Sequence, residues 1–170
     1  MINFRTCVTT CENILKNSGI ISYKLDASLI IGFVLKKNVN ELVLLKEVSK
    51  QDYKKILYYV NLRKNRKPLQ HIIKTVDFLN IKITVNKNVL IPRNETEHLT
   101  DIIINNINSR NEKNLKVLDL CTGSGCIGIA IAKNTNANVT LSDVSKKAIY
   151  VARKNAKINN VNVEICNSNL

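Results

Sequence analysis

The chain has 170 residues, enough for one domain or two small ones, and its 45% apolar content supplies a core of ordinary globular size. Against 13 Asp and Glu stand 26 Lys and Arg, a net charge of +13, but the lysines are scattered rather than clustered. That pattern supports diffuse attraction to acidic partners and no specific nucleic-acid site. Five cysteines without a disulfide-like framework, an N-terminus lacking a signal-peptide core, and an early apolar run ("ASLIIGFVL") far too short to span a bilayer point to a reducing cytoplasm and no membrane.

Residues 1–73 read as a small helical bundle. Ile14, Leu15 and the run Leu25 to Leu35 carry apolar side chains at helical spacing, and Tyr53, Ile56, Leu57 and Val60 form one stripe on a later helix. Ser49 is positioned to cap that helix, and Pro68 is expected to stop it. Cys7 and Cys11, four apart, share a helix face. No Cys or His partner stands at zinc spacing, so no metal site is expected and they read as small buried side chains.

Residues 74–92 predict a β-hairpin linker, in which Ile81, Ile83 and Val85 alternate with polar residues and Asn86–Asn88 offers the turn. From residue 93 to 170 the pattern turns α/β. Asn94 and Glu97 suit an N-cap and its N3 partner ahead of a stripe of Leu99, Ile102, Ile103 and Ile107. Then "KVLDL", "GCIGIAIAK", "NVTLSD", a helix capped by Ser145, and "NVEIC" read strand–helix–strand–helix–strand. Three parallel strands are one half of a doubly wound sheet, so the expected fold class is a helical bundle, a hairpin and an incomplete Rossmann-like α/β domain. On this reading the chain is truncated.

The stretch "VLDLCTGSGCIGIAIA" admits two cofactors. Gly123, Gly125 and Gly128 fit the G-x-G-x-x-G of a dinucleotide site, whose glycines begin almost at the strand's end so that pyrophosphate reaches a helix N-terminus. Here the glycines come late, after Cys121 and Thr122, and Asp119 lies inside the strand. A carboxylate there suits a cofactor that carries an ammonium group rather than phosphates. S-adenosylmethionine is such a molecule, and Asp143, at the end of the next strand, is placed to accept the ribose hydroxyls.

"RKPLQHIIKTVDF", "VLIPRNETEHL" and "VLDLCTGSGCIGIAIA" together resemble the peptide-chain release factor glutamine methyltransferases, the HemK/PrmC family. The resemblance covers nearly the whole chain and implies a helical domain that recognises the substrate, a hairpin, and a Rossmann-like methyltransferase domain. It implies methyl transfer from S-adenosylmethionine to the glutamine side-chain amide in the Gly-Gly-Gln loop of release factors, which would be the partner. Carried over residue by residue, the cofactor turn falls on Cys121, Thr122, Gly123, Ser124 and Gly125, the ribose acid on Asp143, and the adenine contacts on Asn169 and Leu170. Arg93, Thr96 and Glu97 fall at the methionine end and substrate entrance. Three departures stand out: Cys121 replaces a glycine, Asn169 an acid, and Lys74 another glycine. The family's catalytic Asn-Pro-Pro-Tyr is not among these residues, so the resemblance implies a chain with little or no activity by itself. A non-catalytic partner-binding remnant, an RNA adenine methyltransferase and an NAD-linked oxidoreductase are the alternatives.

Overall fold

The structure, a computed structural model, describes residues 1–110, 112 and 114–169. It divides into two compact units, one ending at Ile73 and the other beginning at Lys74.

The first unit runs β1 (Ile2–Asn3), α1 (Phe4–Asn17), α2 (Tyr23–Leu35), α3 (Val39–Leu42), β2 (Glu47–Val48), α4 (Lys50–Lys64) and α5 (Leu69–Ile73). Cys7, Cys11 and Leu15 recur every four residues along α1 and are wholly buried against Ile30, Ile31, Ile56 and Val60. The two thiols are core side chains. Ser49 caps α4 by accepting the Asp52 N–H at 3.0 Å, as its position predicts. Pro68 does not end that helix. α4 closes at Lys64, with Arg66 in the left-handed region (φ 65°) and its guanidinium donating to the carbonyls of Ser18 and Gly19 beyond the end of α1. Pro68 instead opens α5, its carbonyl accepting the N–H groups of His71 and Ile72.

One buried charge organises this unit. Asp26 on α2 is 3% exposed and accepts a 2.6 Å bond from Arg63 Nε on α4, while Arg63 also donates to the Lys67 carbonyl. Removing either partner would leave the other poorly solvated.

The second unit opens with β3 (Thr75–Phe78) paired antiparallel to β4 (Ile81–Thr84). The hairpin forms, but its turn is Leu79–Asn80 rather than Asn86–Asn88. "TVDF" has no strong alternation and was not visible as a strand, while Asn86–Asn88 makes a separate turn in which Asn86 Oδ1 accepts the Asn88 N–H at 2.8 Å. Next come α6 (Asn94–Ser109), β5 (Lys116–Leu120), α7 (Cys126–Asn134), β6 (Asn138–Asp143), α8 (Lys146–Ile158) and β7 (Glu164–Asn167).

β5, β6 and β7 form a parallel sheet in that order, with Asp119 opposite Leu141 and Leu141 opposite Ile165. This is the half of a doubly wound sheet that the strand–helix alternation predicts. Val139 and Leu141 are buried beneath α7 and α8, which pack on one face, together with Phe78, Ile81 and Ile83 from the hairpin. Leu118 and Leu120, which point to the opposite face of β5, are 57% and 45% exposed.

Candidate functional site

The turn between β5 and α7 lies at the carboxyl end of the sheet, where ligands bind in open α/β folds. Its backbone is held in the left-handed region at three positions: Cys121 (φ 57°), Gly123 (φ 55°) and Gly125 (φ 81°). The Thr122 N–H donates to the Ser142 carbonyl at 2.9 Å and the Gly125 N–H to the Thr122 carbonyl at 2.8 Å, so the turn is fastened to β6 and closed on itself.

Two carboxylates support it. Asp119, buried at 8% exposure, accepts through Oδ2 from the Thr122 hydroxyl at 2.6 Å and the Gly128 N–H at 2.9 Å. Burial pushes its carboxyl above the ordinary aspartate range, opposed by those two bonds. Among the described residues no donor reaches its Oδ1. Asp143 ends β6 half-buried, accepting the Gly123 N–H on Oδ2 at 2.9 Å and the Ser145 N–H on Oδ1 at 2.8 Å. Each Asp143 oxygen retains acceptor capacity, since a carboxylate oxygen takes more than one donor.

The glycines divide by environment. A Cβ on Gly125 would come within 2.8 Å of Ile129 and 3.3 Å of Ala152, and one on Gly128 would strike Leu141 and Asp119. Those two glycines let α7 pack closely. A Cβ on Gly123 would find only the Cys121 carbonyl, 4.0 Å away, so the space beside it is open. A dinucleotide site needs its second glycine turned towards pyrophosphate. Here that glycine, Gly125, faces protein.

Cys121 is exposed, whereas Thr122 and Ser124 are buried within the turn. Asn169 is exposed beyond β7, and Leu170 lies outside the described residues. Arg93, not Asn94, is the N-cap of α6, and no capping box forms. Glu97 instead accepts the backbone N–H of Leu79, a residue at φ 48° in the hairpin turn. Thr96 is half-buried, its carbonyl accepting from the Thr100 hydroxyl. Among the described residues no hydrogen bond joins Arg93, Thr96 or Glu97 to the glycine turn.

Two asparagines that no local sequence pattern singles out also support the site. Asn167 Nδ2 donates to the carbonyls of Asp143 and Val144, at 2.7 and 2.9 Å. Asn155, fully buried, donates to the Ser124 carbonyl at 2.8 Å. Among the described residues no group of three His, Cys, Asp or Glu side chains is placed to hold a metal, and no helix is long and apolar enough to cross a membrane.

Residues 81–170 match the methyltransferase small domain, more than half of the chain. The chain belongs to this methyltransferase family. Residues 7–73 match the PrmC N-terminal domain, so both halves of the HemK/PrmC arrangement are present, as "IPRNETE" and "LDLCTGSG" suggest. A protein of Flavobacterium psychrophilum named release factor glutamine methyltransferase is 47% identical over 109 residues, 63% of this chain and 38% of that one. A protein of the same name from Leptospira interrogans is 40% identical over 158 residues, 89% of this chain and 54% of its own. The chain thus spans about half the length, or less, of these relatives. Among solved structures, a Pyrococcus abyssi tRNA (uracil-54, C5)-methyltransferase is 25% identical, with a TM-score of 0.42 over 55% of this chain and 23% of that one.

A methyltransferase domain points to S-adenosylmethionine as its cofactor. The donor set fits it. The turn offers a diol acceptor in Asp143, open space at Gly123 and a buried carboxylate in Asp119, a group that phosphates would repel and an ammonium would favour.

Proposed function

We propose that the turn holds S-adenosylmethionine for methylation of the glutamine side-chain amide in the Gly-Gly-Gln loop of peptide-chain release factors. The observation that carries this reading is the Asp143–Gly123 bond, which sets an acid with spare acceptor capacity against the one turn glycine that faces open space. The combination of a PrmC N-terminal domain with a methyltransferase small domain supports the choice of substrate.

On this reading Asp143 receives the ribose hydroxyls, the Asn169 amide and Leu170 meet the adenine, and Asp119 favours the ammonium of the methionine end. Cys121, Thr122, Ser124 and Gly125 complete the turn, and Arg93, Thr96 and Glu97 stand on the substrate side. The cofactor supplies an electrophilic methyl group on a sulfonium. An amide nitrogen is a weak nucleophile because its lone pair is delocalised into the carbonyl, so the remaining task is orientation, which by itself is worth several kcal/mol. The residues for that task, Asn-Pro-Pro-Tyr in the resemblance, are not among the 170. The 170 residues alone are therefore expected to bind the cofactor with little or no turnover.

Calorimetric titration with S-adenosylmethionine, beside a methyl-transfer assay on purified release factor, tests both parts. Heat of binding is expected and should disappear in Asp143→Ala. Absence of binding in the wild type overturns the cofactor assignment, and robust turnover overturns the expected inactivity. Where turnover is seen, methylated base from RNA in place of methylated glutamine would replace the substrate.

A further inference from the structure

We infer that Asn155 is a positioning residue for the cofactor turn, tying the turn and the hairpin strand β4 together through one side-chain amide. The functional part of this inference rests on the cofactor reading above; the mechanical part does not.

The geometry begins with β4. Its Ile81 and Ile83 are buried, and the strand pairs with β3 along one edge. Along the other edge the backbone groups of Lys82 and Thr84 meet side chains of α8 and of its C-cap, Asn159. Asn159 accepts the Lys82 N–H on Oδ1 at 3.1 Å and donates from Nδ2 to the Lys82 carbonyl at 2.9 Å. Asn155 does the same for Thr84, at 2.8 and 3.0 Å. Residues four apart on a helix rise ~6 Å and alternate strand residues advance ~6.8 Å, so two asparagines at i and i+4 take the place of a neighbouring strand.

Asn155 differs from Asn159 in one bond. Its second N–H reaches the Ser124 carbonyl in the glycine turn at 2.8 Å, whereas that of Asn159 turns back to the Asn155 carbonyl of α8. An asparagine amide has two N–H groups, so both of its donors are committed, one to the hairpin and one to the turn. Asn155 is 0% exposed, and water cannot readily replace either bond. Ser124 follows Gly123, whose N–H is held by Asp143, so displacement of β4 is transmitted to the segment proposed to meet the cofactor.

The test compares Asn155→Ala with Asn159→Ala in the full 170-residue chain. Amide hydrogen exchange is read at Gly123 and Gly125 without ligand, and affinity is read by calorimetry with S-adenosylhomocysteine. Loss of the bond to the Ser124 carbonyl predicts exchange about tenfold faster in the turn and affinity about tenfold weaker for Asn155→Ala. Asn159→Ala removes the equivalent pairing at Lys82 but leaves the Ser124 bond in place, and should leave both readouts unchanged. Equal effects of the two variants, or an unchanged turn in a folded Asn155→Ala, overturn the inference. If the wild type binds no S-adenosylhomocysteine, the cofactor reading fails while turn exchange still decides the role of Asn155. If Asn155→Ala does not fold, native-state exchange of the wild type in rising denaturant decides instead. The Thr84 and Gly125 amides should open together and apart from Lys82, and independent opening overturns the link.

Discussion

Cys121 holds a backbone conformation suited to glycine, and it does so at the first position of the cofactor turn. A side chain at φ 57° costs roughly 1–2 kcal/mol, partly offset because glycine gains freedom in the unfolded chain. Cys121→Gly should therefore raise the unfolding free energy by about 1 kcal/mol, read as a higher urea midpoint at unchanged slope, and should tighten S-adenosylmethionine binding. Asp119 makes a pH-dependent contribution. Burial raises its folded carboxyl above the ordinary range, so in that window the folded state binds more protons than the unfolded state. Its contribution to stability falls as pH rises from about 4 through the raised value, then levels off. The stability of wild type relative to Asp119→Asn should decline over that interval, and a flat difference between the two denaturation series would contradict the assignment. The position of Asp143 at the end of β6 was legible from the strand pattern, whereas its bond to the Gly123 N–H was not. Asn155 and Asn167 were not legible, since a lone asparagine has no spacing that reveals a distant carbonyl.

Among the elements, the longer helices and the three parallel strands follow from the apolar pattern, and the Ser49 and Ser145 caps from the residue types at helix starts, whereas α5 behind Pro68 does not. What periodicity misses is set by contacts distant in sequence. With Arg93 as the N-cap of α6, Glu97 falls outside the capping-box position and accepts from the Leu79 N–H, 18 residues away. The hairpin turn is Leu79–Asn80 because β3 supplies pairing that its composition does not announce. Asp26 and Arg63, 37 residues apart, join α2 to α4 in a bond no local pattern contains. Asp26→Ala should destabilise the helical unit by about 3 kcal/mol, since it leaves the guanidinium largely buried without its anion. Chemical denaturation followed by far-ultraviolet circular dichroism measures this, and a loss below about 1 kcal/mol would mean that water replaces the carboxylate.

Across the whole molecule, two separate cores stand on either side of Lys74, one built on Cys7, Cys11 and Leu15 and the other on the parallel sheet and hairpin. The architecture of both was legible in outline, because helical stripes fill the first and short apolar strands the second. The one-sided cover of the sheet, with Leu118 and Leu120 exposed, depends on which face α7 and α8 take, and strand sequences short of full alternation do not declare it. The three buried cysteines are divided between the same two cores and the other two are exposed, so their accessibility makes the chain its own conformational counter. A thiol reagent should reach Cys121 and Cys166 in the native protein, with Cys121 shielded once S-adenosylmethionine fills the turn. Opening of the second unit would add Cys126, whereas opening of the first would add Cys7 and Cys11. Mass spectrometry of protein labelled in rising denaturant should therefore identify which core yields first, without any engineered probe.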